Sequence, residues 1–341
     1  MDWFTELFGF TERDYAGTQA LLALQPDGQL RVGSEQSARY FSPGALQLPS
    51  LASLREQVAA LPKQSGANPM WRAVATDAAQ LHRQPEAHGA LVQVASQFNL
   101  LEMPSPNVTP EAGITAYAYD HTQGPACAMA CAAGTLVRNY LVALPGGVGQ
   151  TAQRQINTLQ DVLAALEGMG LTGFEMRNGY LMAAAATMQA TAQKLRALDA
   201  AQHDQLRQRL QIGVQHHSQV TTAGAPAGQK LTQAYCAALP IAYNRGDLKD
   251  WGPMARLVLE ATYEATLLAG VLNAHTTGNP RVYLTLVGGG VFGNPVEWIL
   301  QAIERALQSV EGHSLDVVQV CYRAIPSQLT QAIQQFNEAH P

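Results

Sequence analysis

From His88 onward, short apolar runs alternate with longer amphipathic stretches, a rhythm that predicts strands and helices taking turns. Runs at 90–98, 211–220, 233–239, 281–287 and 315–321 read as strands, with 282–287 β-branched and apolar enough for a buried one. Between them, helical spacing marks a small-residue helix at 125–138 and further helices near 150–167, 183–198 and 200–210. A long helix from Pro253 to about Asn273 and another from Pro295 to Val310 complete the pattern. Strands so apolar need cover on both sides, which predicts a mixed or mostly parallel sheet between two helical layers, an α/β/α fold.

Residues 1–86 differ, with short apolar pieces broken by Pro43, Pro49 and the Pro-Lys-Gln-Ser-Gly turn at 62–66. They are expected to form an extension packed on a single domain of residues 87–341. Two helices are expected in it. One starts at Ser50, a good N-cap, and the other covers 69–81, where Trp71, Val74 and Leu81 share a stripe.

Of the 341 residues 47% are hydrophobic, ample for a core, and only 14% are charged. A net charge of −5 offers no basic field, so neither nucleic acid nor a membrane is expected as a partner. Asp2 and Glu6 stand where a signal peptide needs positive charge, and no apolar run is long enough for a membrane span. The expected location is cytoplasmic, or outside the cell by a route without a cleaved signal. Cys127, Cys131, Cys236 and Cys321 lack CxxC spacing and read as buried thiols. His216 and His217, adjacent on a strand, are expected to face opposite sides, so no metal is anticipated.

The segment 281–294, RVYLTLVGGGVFGN, carries the most chemistry. A strand breaks into Gly288, Gly289 and Gly290, then Val291, an exposed Phe292, Gly293 and Asn294, before Pro295 opens a helix. Glycines free to take positive φ let successive N–H groups converge on a diphosphate near a helix N-terminus. The simpler reading is a tight strand-to-helix turn. Neither the Walker A spacing nor a clean GxGxxG is present. A second, unusually long connection runs from Asn99 to Pro125 and holds Asn99, Glu102, Glu111, Asp120 and His121 before Gln123 and Gly124 enter a helix. Both loops leave the carboxyl ends of strands, where open α/β sheets bind ligands.

The stretch Val287-Gly-Gly-Gly-Val-Phe-Gly-Asn-Pro295, with its helix and the strand 315–321, resembles the phosphate-binding loop of macrodomains that cradles the diphosphate of ADP-ribose. Gln97-Phe98-Asn99 with the long loop and the helix from Gly124 resembles the other macrodomain loop, in which an asparagine meets the distal ribose. Phe98–Met103, Tyr119–Pro125, Arg138-Asn-Tyr140 and Gln150-Thr-Ala are similar to divergent macrodomain ADP-ribosylhydrolases of the MavL type, which remove ADP-ribose from arginine. The several-glycine loop common to macrodomains is replaced here by His121-Thr-Gln-Gly-Pro125. The resemblance implies a macrodomain-like fold, an ADP-ribosylated protein as substrate, and ADP-ribose as ligand or product with no required cofactor. It also implies ligand contacts at Phe98, His121, Gln123, Gly124 and Gly288 to Asn294.

Cleaving arginine-linked ADP-ribose means stabilising an oxocarbenium-like C1 while water attacks, a role suited to carboxylates. Asp120, ahead of a helix N-terminus, suits a base or ribose anchor; Glu111, Glu102 and Asn99 suit the sugar hydroxyls or the leaving guanidinium. Each has a plainer role open to it: an N-cap for Asp120, solvated loop charges for Glu102 and Glu111, a turn for Asn99. The Tyr243 turn and Tyr263, Thr266 and Gly270 on the long helix are expected as packing groups that can border a nucleotide. A Cys127/His121 nucleophile pair is less favoured than core packing. Two other functions remain open: an ADP-ribose reader without catalysis, and a phosphohydrolase of ADP-ribose derivatives, which would call for a metal and a carboxylate-rich helix that the chain lacks.

Overall fold

Strands that are apolar on both faces fold only where helices cover both sides, and this chain meets that condition. The computed structural model describes residues 1–340. Its central sheet contains β1 (Ala45–Gln47), β2 (Met70–Ala75), β3 (Leu91–Ala95), β4 (Gly213–Gln219), β5 (Lys230–Cys236), β6 (Arg281–Leu284) and β7 (Asp316–Cys321). Their spatial order is β1-β4-β5-β3-β6-β7-β2. Strands β5, β3, β6, β7 and β2 run parallel, while β4 opposes both its neighbours. The mixed sheet and three-layer α/β/α arrangement are those expected from the pattern.

Strand β3 shows how the layers divide. Leu91 faces the main core beneath the helix Leu248–Thr277, whereas Val92 and Val94 face Cys127, Cys131 and Leu81 on the other side. Gln93, on the Leu91 side, donates to the hydroxyl of Thr266 on that helix at 2.9 Å. The long helix lies tight on the sheet because Gly270 has no side chain: a Cβ there would come within 2.5 Å of Val282. It runs beyond the expected 253–273 at both ends and stops at Gly278, whose φ of 76° favours glycine.

Ser50 caps the helix Leu51–Ala59 by accepting the N–H of Ser53, as expected. The helix expected at 69–81 does not form. Residues 70–75 are strand β2, paired in parallel with β7, and Asp77 caps a short helix, Ala78–Arg83. The strand supplies the edge of the sheet with a ladder of backbone bonds that no helix there would offer, and the Trp71 side chain is still fully buried. Residues 1–86, expected as an extension packed on the core, thus supply both outermost strands of the sheet. Their first part, with a helix at Trp3–Phe8 and a three-stranded antiparallel sheet, packs Phe4, Phe8, Leu30 and Val32 against Leu101, Met103, Ile114 and Tyr117 of the long acidic loop.

His216 and His217 depart from expectation as well. A bulge at 215–218, with His217 at φ 52°, leaves their rings 6.5 Å apart instead of on opposite faces. All four cysteines are buried and free. Among the described residues, no helix is long and apolar enough to cross a membrane.

Candidate active site

The carboxyl ends of β3 and β6 open onto a cavity of about 330 Å³. One wall is the glycine loop after β6, and the facing wall is the acidic loop with the first turn of the helix Gln123–Ala130. The two loops singled out in the sequence therefore face one space.

Backbone bonds decide which part of the glycine loop meets that space. Gly288 takes φ 78°, and a Cβ on it would lie 2.4 Å from that of Ala238, so glycine is needed there twice over. The N–H groups of Gly289, Gly293 and Asn294 turn inward to Leu286, Gly290 and Gly288 at 3.0, 3.1 and 2.9 Å. Among the described residues nothing bonds the N–H groups of Gly290, Val291 and Phe292, and these three residues line the cavity. Tyr263 braces the loop from behind, donating its hydroxyl to Thr285 O (2.7 Å) and accepting the N–H of Val287 (2.8 Å). The result is a short run of backbone donors held on a rigid support, the geometry that accepts an anion.

On the facing wall, Glu102 is 4% exposed and lines the cavity, and its Oε1 has no hydrogen-bond partner. Its backbone N–H donates to the Tyr117 hydroxyl at 2.9 Å. Burial pushes the Glu102 carboxyl well above the usual carboxylate range; the buried Arg138 guanidinium opposes that shift and Asp120 adds to it. Burial thus favours the protonated form of Glu102. Gly124 makes this possible: a Cβ there would lie 2.1 Å from the Ala95 carbonyl and 2.4 Å from Glu102 Oε2. Asp120 also lines the cavity, and one of its oxygens accepts the N–H and hydroxyl of Thr122 at 2.9 and 2.7 Å. Two carboxyls of unlike burial, Glu102 and the half-buried Asp120, thus stand on one wall.

Several expected site residues lie elsewhere. Phe98 is buried in the main core. Asn99 is fully buried, donating to Gln155 at 2.9 Å and accepting from Leu101 N–H at 3.1 Å, so its amide shapes the loop and is not on the cavity wall. Glu111 accepts the N–H of Ala152 at 2.9 and 3.1 Å and is not on the cavity wall. His121 is exposed and outside the lining. Gln123 lines the cavity, but its side chain is spent on β3, accepting Ala95 N–H at 3.0 Å and donating to Gln93 O at 2.9 Å. Gly289, Gly293 and Asn294 shape the glycine loop from within; Asn294 is buried and donates to Leu239 O at 2.9 Å. The lining also stops short of Pro295, so the helix terminus beside the cavity is that of Gln123–Ala130 and not the one after the glycine loop.

Phe292, expected to be exposed, is buried between Tyr180 and Tyr243, with ring centroids 5.5 and 5.7 Å away. These two tyrosines line the cavity, as do Gln97 and Met103. Sequence patterning does not reveal Tyr180, which belongs to a hairpin, Phe174–Arg177 with Tyr180–Ala183, within a region that reads as helices and connections. A signal is nevertheless present: Asn178-Gly179, both at positive φ, is a two-residue hairpin turn between apolar runs. Cys127 is buried with its thiol pushed well up by burial, which removes it as a nucleophile.

No protein-family model matches the chain, and no curated protein matches it. Among solved structures it is similar to a poly(ADP-ribose) glycohydrolase from Deinococcus radiodurans in complex with ADP-ribose. The identity is 12% over 86% of this chain and 94% of that one, with a TM-score of 0.42. A poly(ADP-ribose) glycohydrolase from Thermomonospora curvata is 15% identical over 94% of each chain, with a TM-score of 0.41. The same enzyme bound to the inhibitor ADP-HPD is 14% identical over the same shares, also at 0.41. Superpositions this loose assign no activity to the chain.

Proposed function

We propose that the protein is an ADP-ribosylhydrolase that cleaves the glycosidic bond at C1 of the distal ribose and releases ADP-ribose from modified arginine on proteins. The observation that carries this reading is Glu102: a buried carboxyl with an unpartnered oxygen, its protonated form favoured by burial, on a cavity whose opposite wall offers backbone donors to an anion. Burying such a group without a partner costs stability, and its position in a cavity accounts for the cost by a chemical role. ADP-ribose as the ligand is supported by the macrodomain resemblance of residues 287–295 and by the separation of an anion-binding wall from a carboxyl wall.

In this reading the N–H groups of Gly290, Val291 and Phe292 hold the diphosphate. Water adds to C1 as the C1–N bond breaks; Asp120 takes the proton of the attacking water, and the departing guanidine takes the proton of Glu102. The Asp120 carboxylate also favours a cationic guanidinium over an anionic leaving group. The test is release of free ADP-ribose from an arginine-modified protein by the wild type and by Glu102→Gln. Binding of ADP-ribose without any release would instead make the protein a reader.

One observation favours a second linkage. A guanidine leaves without acid assistance more readily than an alkoxide, so a protonated Glu102 is worth most against an O-glycosidic bond to an alcohol oxygen. Serine-linked ADP-ribose is the substrate that separates the two readings.

A further inference from the structure

We propose that Glu12, in the N-terminal segment, is a positioning residue that sets Glu102 through the acidic loop, an inference that rests on the hydrolase reading above. The Glu12 carboxylate accepts the N–H of Ile114 on both oxygens, at 2.9 and 3.0 Å, and the N–H of Thr115 at 2.7 Å. It also accepts the hydroxyl of Tyr140 at 2.7 Å. Gly113 makes room for it: at φ 77°, a Cβ on this residue would lie 2.5 Å from the Glu12 carboxyl carbon. The indole N–H of Trp3 adds a bond to Thr115 O at 2.8 Å from the same segment.

These bonds grip the start of a single 3₁₀ turn, Thr115–Tyr119. Inside that turn is Tyr117, whose hydroxyl holds the N–H of Glu102, and directly after it is Asp120 on the cavity wall. The Leu101–Glu102 peptide plane has two anchors. At one end Leu101 O accepts Gln97 N–H at 3.1 Å, close to the end of β3; at the other stands Tyr117. If the turn moves, the second anchor moves with it, and the plane that carries Glu102 rotates about the first. A charged carboxylate accepting several N–H bonds is well suited to hold such a turn, because each of those bonds is charge-assisted.

The substitution Glu12→Gln keeps the size but places an NH2 group where an N–H donor must be accepted. It is expected to lower kcat on the arginine-modified substrate by about tenfold to a hundredfold, the scale of a small misplacement of a reacting group. KM and ADP-ribose affinity should stay within about threefold, since the glycine-loop wall is untouched. Glu12→Asp should recover part of the loss. Amide hydrogen exchange gives a readout independent of activity: in Glu12→Gln the amides of Ile114, Thr115 and Glu102 should exchange faster together, while those of β3 and β6 do not change. Faster exchange at Ile114 and Thr115 with Glu102 unaffected, or wild-type kcat despite faster exchange at all three, would overturn the proposal. Should Glu12→Gln fail to fold, Tyr117→Phe removes the acceptor for Glu102 N–H and must give the same kcat loss and the same exchange at Glu102. A wild type that releases no ADP-ribose would defeat the hydrolase reading, yet the exchange measurements would still decide the coupling.

Discussion

Replacing Glu102 by glutamine removes the ionisable proton and almost no volume, so its two consequences can be separated. For catalysis, the loss of a positioned general acid is expected to lower kcat by about 10² to 10⁴, with ADP-ribose still bound within a few-fold. For stability the sign is opposite. Burial raises the Glu102 pKa in the folded protein, so this group favours folding fully below its unfolded pKa near 4.5, and that contribution is lost as pH rises through the raised folded value. Every tenfold gain in proton affinity on folding becomes a cost of about 1.4 kcal/mol at a pH above the folded pKa. Glutamine has no such penalty, and its NH2 can occupy the place of the unpartnered oxygen. Glu102→Gln should therefore match the wild type in Tm at pH 5 and equal or exceed it at pH 9. The same proton governs the pH profile: kcat/KM of the wild type should fall on the alkaline side as Glu102 ionises, and that limb should vanish from the residual activity of the variant. Thermal melts across pH and initial rates of ADP-ribose release measure both. A variant that turns over substrate at the wild-type rate while losing several degrees of Tm at every pH would refute the reasoning, since Glu102 would then be a packing residue.

The other wall and the other carboxyl give further expectations. A Cβ at Gly290 meets nothing within 4 Å, so Gly290→Ala should bind ADP-ribose within a few-fold in calorimetry, whereas Gly290→Glu should abolish binding by filling the space and adding like charge; equal affinities would remove this loop from the ligand site. Asp120→Ala should slow release by about 10² to 10⁴ with little change in ADP-ribose affinity, and persistent turnover would assign its role to another group. Among matched substrates modified on arginine, serine and glutamate, kcat/KM should be highest for arginine; a serine preference would favour the O-glycosidic reading, and efficient cleavage of the glutamate ester would exclude the charge argument. Chelator treatment and Cys127→Ala should leave turnover nearly unchanged, with rates before and after as the check.

Local signals were enough for much of the fold. The strand runs after His88, the Ser50 cap and the triple glycine express preferences that act within a few residues and stand close to where their patterns placed them, whereas the small-residue helix expected at 125–138 is interrupted at Cys131. The loops flanking the site were legible for the same reason, as an unusual length and an unusual composition. Residues 70–75 were not, because their choice of strand is made by β7, far along the chain, and the stripe of Trp71, Val74 and Leu81 fits a helix equally well. The same limit applied to the carboxylates. Glu102, Glu111 and Asp120 are similar groups in one polar loop, and by sequence they rank alike. Tertiary structure separated them, since Glu111 ties the loop to Ala152, Asp120 is half-buried, and Glu102 is buried beside Gly124 with its Oε1 unpartnered. Backbone preference is a property of neighbours in sequence, so the chain alone determined where most strands after His88 and the glycine-loop turn would lie. Proton affinity depends on burial and on charges met across space, so only the packed structure decided that the Glu102 carboxyl is the one pushed up.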